Sequence, residues 1–390
     1  MARITRPEQG TTPMRMKAAI MFEQGRPRPY ASSLPLVVEE VELDPPGPGE
    51  VLLEIAAAGL CHSDLSAIEG IRPRPLPIVI GHEGAGIVRE LGEGVDDLRP
   101  GDHVVTVFVT SCGHCRYCVR GRPNICPSGF AARNAGTLMS GAKRISRLNG
   151  ERINHGSGLS LFAQYAVVSR RAMVRIDPEV PLEDAAIFGC AVMTGAGAVL
   201  NTAGMRTGDS IAVVGLGGVG MNALFAAVAG GAERIVAVDA NPEKLGLARQ
   251  WGATDTFLAT DADCAAQVRE ATGGGLDTVI ETAGNIRAME LAYAITARGG
   301  SVVSAGLPAA GAEFSYQHAQ LVSDEKSILG SYMGSCVPER DIPRFLGLYR
   351  RGKLPVERLK SGFIALEGIN AGFDRLAEGS VLRQVLRPNA

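Results

Sequence analysis

The stretch "SIAVVGLGGVG", residues 210–220, is an apolar run ending in glycines spaced G-x-G-x-x-G at Gly215, Gly217 and Gly220. An apolar stretch of helical character, "MNALFAAVAGG", follows it, and "RIVAVD" then ends in Asp239. Strand, glycine turn, helix, strand and acid in this order favour a bound dinucleotide. The glycines permit a tight turn and close approach to a pyrophosphate, the helix N-terminus favours its negative charge, and the acid accepts from ribose hydroxyls. The alternation continues through "LDTVIETAG", "GSVVSAGL" and "KSILGSYM" to about Tyr332. Such a rhythm predicts a parallel sheet covered by helices on both faces.

The chain before this region has a different texture. From about Met16 to Cys190, short apolar runs such as "EVLLEIAAAGL", "GAGIVREL", "GDHVVTVFVT" and "AQYAVV" are broken by Gly and Pro turns, which predicts mostly β structure. After Tyr332 come a helical pattern, "RDIPRFLGLYRRGKL", and a last strand, "RQVLRP". This tail is too short to stand alone and is expected to rejoin the earlier β region. At 390 residues the chain suits two or three domains. The expected division is 1–190 with 333–390, and 191–332.

Composition narrows the partners. With 46% hydrophobic and 21% charged residues the chain is of soluble globular type. Its 39 basic and 41 acidic side chains leave a formal charge of -2, so no footprint for nucleic acid or an anionic membrane is expected. The opening "MARITRPEQGTTPMRMK" has no apolar run of the secretory kind, and no later run reaches the roughly twenty apolar residues of a membrane span. A cytoplasmic location is expected. "MKAAIMF" from Met16 offers an alternative start for the native chain.

In a reducing compartment, clustered cysteines are better read as metal ligands than as disulfides. Cys112, Cys115, Cys118 and Cys126 follow C-x2-C-x2-C-x7-C, with Gly113, Gly121 and Pro123 between them. Four thiolates converging from such turns suit tetrahedral zinc; an iron–sulfur cluster is the rival with the same ligands. A four-thiolate zinc has no open position, so this lobe is expected to be structural. Further along the chain, "CHSD" at 61–64, "GHEGAG" at 81–86 and "FGCAVMTG" at 188–195 bring Cys61, His82 and Cys190 into view as a possible Cys2His site with one open position. Spacing alone does not select Cys190 over Cys264 or Cys336.

C-H-S-D, G-H-E-G-A-G, the four-cysteine lobe, G-C-x3-T-G and G-L-G-G-V-G, in this order, resemble the zinc-dependent alcohol dehydrogenases of the medium-chain dehydrogenase/reductase family, from about Met16 to the C-terminus. The resemblance implies an α/β protein: a GroES-like, mostly-β catalytic domain and a Rossmann coenzyme domain with a doubly wound parallel sheet. It implies two zinc ions per chain, one structural and one catalytic, the latter held by Cys61, His82 and Cys190. It also implies NAD, and reversible hydride transfer between an alcohol and NAD to give an aldehyde or ketone. Catalytic zinc would acidify the alcohol O–H and, in reverse, polarise a carbonyl.

By the same resemblance Asp64 would orient His82, Glu83 would sit beside the metal, and Ser63 would accept the alcohol proton. Some members continue that relay to a histidine where this chain has Ser66. His62 and Arg383 would meet the pyrophosphate, together with the turn of Gly215, Leu216, Gly217, Gly218, Val219 and Gly220. Lys244 would meet the adenosine ribose, Thr194 and Val219 the nicotinamide face, and the backbone of Ala305, Gly306 and Leu307 the carboxamide edge. Asp239 is followed by Ala240 rather than arginine, which favours NAD over NADP. Arg72, Phe108, Ala131 and Phe162 would lie near the substrate, the two phenylalanines as apolar walls or, almost as readily, as plain core residues. His103 and His155 are read as structural, a strand residue and a loop residue.

Several alternatives stay open. Glutathione-dependent formaldehyde dehydrogenases, which act on S-(hydroxymethyl)glutathione, carry acidic residues where this chain has Arg72 and Arg74, and an arginine where it has Phe130. The two arginines would suit an anionic substrate, or simply a solvated loop. A non-catalytic zinc- and nucleotide-binding protein would usually lack a ligand or relay hydroxyl, and quinone reductases of the superfamily generally lack both zinc patterns. The last sheet strand would leave an open edge, so a homodimer is expected, with a tetramer as the alternative.

Overall fold

The cofactor region has six strands, the first two dominated by valine, isoleucine and alanine. The six are β1 (Ser210–Val214), β2 (Arg234–Asp239), β3 (Asp255–Leu258), β4 (Leu276–Glu281), β5 (Thr296–Ser304) and β6 (Ser327–Gly330) in the computed structural model, which describes residues 12–390. They form one sheet in the order β3-β2-β1-β4-β5-β6, every neighbouring pair parallel. β1 is buried over four of its five residues, as expected of a strand covered on both faces. The helix Gly218–Gly230 follows β1. Pro242–Gln250 follows β2, with the Asn241 side chain accepting the Glu243 N–H at its start. Ile286–Ile295 follows β4 behind a matching cap from Asn285. Strand order reverses at the β1/β4 neighbours, where an open α/β sheet binds its ligand beyond the carboxyl ends of the strands.

The mostly-β region builds two sheets. One is a closed barrel of Met14–Met21, Leu36–Leu43, Ile145–Arg147, Arg152–His155 and Ile78–Val79. The other has seven strands around Glu50–Gly59, which pairs antiparallel with Gly84–Leu91, Tyr165–Ser169 and Arg383–Leu386. Leu53, Ile55, Phe162, Ile369 and Phe373 are among the fully buried side chains of its core.

By contacts the chain divides into two units: Met1–Cys115 with Cys126–Ile187 and Gly362–Ala390, and Arg116–Ile125 with Phe188–Ser361. The first expected bound, 190/191, lies three residues from 187/188; the second, 332/333, lies well before 361/362 because the tail splits. Its helix Ile369–Ala377 buries Ile369, Phe373 and Leu376 in the core of the β unit. Its earlier helix, Pro338–Arg350, packs Tyr349 edge-on to Phe188 in the other unit, with ring centroids 5.8 Å apart. One correction concerns His155, expected in a loop: it ends the strand Arg152–His155 and is wholly buried. Among the described residues one helical stretch, Leu182–Thr202, is long and apolar enough to span a membrane, and 83% of its apolar window is buried inside the protein. The question of where the native chain starts falls largely on residues 1–11, outside the described residues.

Candidate metal centre and cofactor site

Strand Glu50–Gly59 delivers Cys61 to the N-cap of the short helix His62–Ile68, in extended backbone conformation. His82 arrives from the opposite direction. Gly81 turns the chain ahead of it with φ +96°, and a Cβ there would stand 2.7 Å from Phe162 N, so the turn accepts only glycine. Asp64 Oδ1 lies 3.0 Å from His82 Nδ1 and also accepts the Gly81 N–H at 3.3 Å. With Nδ1 engaged, Nε2 is the ring nitrogen left for a metal. Burial opposes a positive charge on the His82 ring; the Asp64 carboxylate favours it and prevails. The same field that would hold a proton suits a cation.

The Sγ atoms of Cys61 and Cys190 and a ring nitrogen of His82 all lie within 4.8 Å of one another, and all three side chains are buried. Cys190 thus joins the group, while Cys264 and Cys336 do not. Two thiols and an imidazole, buried together without a disulfide, are a donor set that fits zinc with a position to spare. The Phe108 ring stands edge-on to the His82 ring at 5.0 Å. Glu83 is fully buried, and Arg383 Nε lies 3.5 Å from its Oε1. Gly59, which the sequence reading did not single out, makes room for that carboxylate: a Cβ there would stand 2.3 Å from Glu83 Oε1.

The sulfurs of Cys112, Cys115, Cys118 and Cys126 form the second group, also within 4.8 Å. Cys115 Sγ and Cys126 Sγ are 4.0 Å apart. A tetrahedron with zinc–sulfur bonds of about 2.3 Å has an edge of roughly 3.8 Å, whereas a disulfide would need about 2.05 Å. Backbone N–H groups are already turned towards the sulfurs, Cys112 N to Cys126 Sγ and Cys115 N to Cys112 Sγ, each at 3.3 Å. The His114 N–H above all, with help from Cys115, brings the Cys112 thiol down to about 6 against the effect of burial. Cys112 is therefore held towards thiolate, the form a metal binds.

In the cofactor unit, Gly215 takes φ +94°, and a Cβ on Gly220 would stand 1.8 Å from Gly215 O. The third glycine of the motif is required for helix Gly218–Gly230 to close onto the turn. Asp239, at the end of β2, accepts the Leu216 N–H at 2.6 Å and the Asn241 N–H at 2.8 Å, and so ties the turn to the strand that carries the acid. Gly217 caps the helix, Gly218 and Val219 open it, and Leu216 is buried. Thr194 is buried in Met193–Gly197, and Lys244 is half-buried on Pro242–Gln250. Ala305, Gly306 and Leu307 leave the carboxyl end of β5.

The remaining residues sort less uniformly. His62 is exposed at the start of its helix, and Ser63 is half-buried beside it. Ser66 Oγ donates to the His62 carbonyl at 2.9 Å, so this hydroxyl is spent on its own helix. Arg383 is 3% exposed and donates to Leu60 O at 2.9 Å, a guanidinium held inside the protein. Phe162 is wholly buried and meets Phe373 edge-on at 5.9 Å, the packing of a core residue, which favours the second of its two readings. Ala131 is exposed on Pro127–Ala135, where Arg133 lies 4.5 Å over the Phe130 ring. Gln24 fixes the backbone of the arginine loop, donating to Arg72 O and accepting the Arg74 N–H.

Comparison with known proteins agrees with this geometry. Residues 47–178 match the alcohol dehydrogenase GroES-like domain and residues 218–350 the zinc-binding dehydrogenase domain. A curated relative, S-(hydroxymethyl)glutathione dehydrogenase of Synechocystis, is 38% identical over 96% of this chain and 100% of its own. Two solved structures are similar over 96% of this chain and 99% of theirs: an alcohol dehydrogenase zinc-binding domain protein from Burkholderia ambifaria (34% identity, TM-score 0.90) and benzyl alcohol dehydrogenase from Acinetobacter calcoaceticus (31%, 0.89). Fold, metal donors and glycine turn together define a zinc- and nicotinamide-dependent oxidoreductase acting on alcohols. The chain belongs to the zinc-dependent alcohol dehydrogenases of the medium-chain dehydrogenase/reductase family.

Proposed function

We propose that this enzyme prefers NAD to NADP, holds two zinc ions per chain, and oxidises small primary alcohols with apolar or aromatic bodies in the cytoplasm. The observation that carries the reading is the joint presence of the buried Cys61–His82–Cys190 donor group and the Asp239-anchored glycine turn. Zinc held by the three donors supplies a Lewis acid that acidifies an alcohol hydroxyl or polarises a carbonyl. Asp64 fixes the His82 ring so that Nε2 faces the metal. Ser63, two residues from Cys61, takes up the alcohol proton. Because Ser66 is committed to the His62 carbonyl, the proton leaves Ser63 through water or the cofactor ribose.

The turn from Gly215 to Gly220 receives the pyrophosphate at the start of helix Gly218–Gly230, and Asp239 accepts from the adenosine ribose and repels a 2′-phosphate. Lys244 and Arg383 add positive charge to the same task and His62 a hydrogen-bonding ring, Thr194 and Val219 meet the nicotinamide face, and Ala305–Leu307 take its carboxamide. Phe108, packed on His82, offers the substrate an apolar wall. Benzyl alcohol dehydrogenase among the similar structures supports aromatic alcohols; the glutathione-adduct enzyme among the curated relatives keeps that adduct as a second reading. Strand β6 is exposed throughout, with Ile328 and Leu329 each 36% exposed at the sheet edge, which supports a homodimer.

The test is initial NADH formation with neutral, aromatic and carboxylated primary alcohols and with S-(hydroxymethyl)glutathione, repeated with NADP. Highest kcat/KM for benzyl-type alcohols with NAD is expected. Preference for the glutathione adduct, or for NADP, would replace the substrate or cofactor part of the proposal.

A further inference from the structure

Glu281 ends β4 and is 1% exposed. A carboxylate buried that deeply persists only where donors converge on it. Its Oε1 accepts the Gly284 N–H at 2.6 Å and its Oε2 accepts from Ser304 Oγ at 3.2 Å. Its own carbonyl accepts the N–H groups of Ala305 and Gly306 at 2.8 and 3.1 Å. One residue therefore holds the turn after β4 and the turn after β5 in a single arrangement. Burial pushes the Glu281 carboxyl up, and the N–H groups of Gly284, Ala283 and Gly306, with the Ser304 hydroxyl, act against that and favour the ionised form.

The fit between the two turns is close. A Cβ on Gly306 would stand 2.3 Å from Gly284 N and 2.8 Å from Glu281 Oε2. A Cβ on Gly284, at φ +69°, would stand 3.0 Å from Leu307 N. Both turns leave the carboxyl ends of strands on the β4 side of the point where strand order reverses. A dinucleotide lies across such a point with one half on each side. The glycine turn and Asp239 claim the adenosine half and the pyrophosphate for the β1–β2 side, which leaves the β4–β5 side for the nicotinamide half.

We propose that Glu281 is a positioning residue for the nicotinamide end of the cofactor: it clamps the Ala305–Leu307 backbone to the 282–284 turn so that this edge is set before the cofactor arrives. The inference rests on the nicotinamide-cofactor reading above. Glutamine at this site keeps the shape but removes the charge and leaves one acceptor oxygen in place of two, so the donors gathered on the carboxylate are held less firmly and the clamp loosens.

The experiment measures binding of NADH and of ADP-ribose, which lacks the nicotinamide, to the zinc-loaded full chain and to Glu281→Gln and Ser304→Ala. Glu281→Gln should weaken NADH at least tenfold and leave ADP-ribose within twofold. Ser304→Ala, which removes a single donor and preserves the fold, should show the same selectivity at a few-fold. Unchanged NADH affinity in both variants overturns the proposal. Equal losses for the two nucleotides also overturn it, because they would mark Glu281 as general support of the domain. If the unsubstituted enzyme bound neither nucleotide, the cofactor reading itself would fall, and the clamp with it.

Discussion

Asp64 Oδ1 and His82 Nδ1 are 3.0 Å apart with both side chains buried, so the imidazole presents its other nitrogen to the group it forms with Cys61 and Cys190. Removing the carboxylate charge without changing its size tests what that contact does. Asp64→Asn is expected to weaken zinc affinity at the Cys61–His82–Cys190 group by roughly 10–100-fold and lower kcat/KM to match. Zinc retention during graded chelation measures the first effect and steady-state kinetics the second. Full retention with unchanged kinetics would make the contact a packing detail.

The 4.0 Å Cys115–Cys126 sulfur separation predicts a different outcome in the lobe. Cys115→Ser should reduce bound zinc from two to one per chain and lower Tm by about 5 °C or more, since a structural site contributes directly to folding. Elemental analysis beside a melting curve decides it; two zinc ions still bound would remove the lobe from the metal account.

Asp239 holds the glycine turn through the Leu216 N–H, and in the proposed reading it also presents acceptors to the adenosine ribose. Asp239→Asn should cost NAD about 10–100-fold in kcat/KM, the range for hydrogen bonds to a charged group. The loss for NADP should be smaller, because a repelling charge is removed at the same time. The NAD/NADP ratio of the variant is the readout, and a ratio equal to that of the parent enzyme would count against the assignment.

His155 gives a pH prediction away from the metals. It is wholly buried, its Nε2 accepts the Arg144 N–H at 3.0 Å, and Nδ1 therefore carries the proton and donates to Ser160 Oγ at 3.2 Å. Burial first, then the nearby Arg144 and Lys143 charges, push it from 6.5 down to about 3. A folded value below the unfolded one means that the neutral ring's contribution is complete above 6.5. It is lost as pH falls towards 3, at about 1.4 kcal/mol per pH unit. Between pH 7 and 5 the unfolding free energy of His155→Gln should fall by roughly 2 kcal/mol less than that of the parent. Parallel pH profiles would show that His155 is protonated or solvated in the folded protein.

The sequence made legible those features that chemistry writes locally. The glycine turn, the parallel order up to Tyr332, the two cysteine patterns and the His82–Asp64 pair all follow from short motifs in fixed sequence order. What it hid depends on distant contacts. Arg383 donates to Leu60 O across 323 residues, so nothing in "RQVLRP" shows that this arginine is buried. Ser66 is a free hydroxyl on paper and a helix-bonded one in the fold. Phe162 reads equally well as a channel wall or a core residue until Phe373 is placed against it. The tail divides at 361/362 because two helices of similar appearance find different cores. Glu281 reads only as an acid at the end of an apolar strand, and its meaning comes from turns that follow two separate strands.

The most direct test of the central claim couples both halves of the account in one assay. NADH formation from benzyl alcohol is followed while zinc is removed by a chelator and then restored, with zinc per chain measured in parallel. Activity should fall as zinc is removed from the Cys61–His82–Cys190 group, NADH binding should persist in the depleted protein, and added zinc should restore turnover. Full activity in protein shown to lack zinc at these three residues would contradict the central claim.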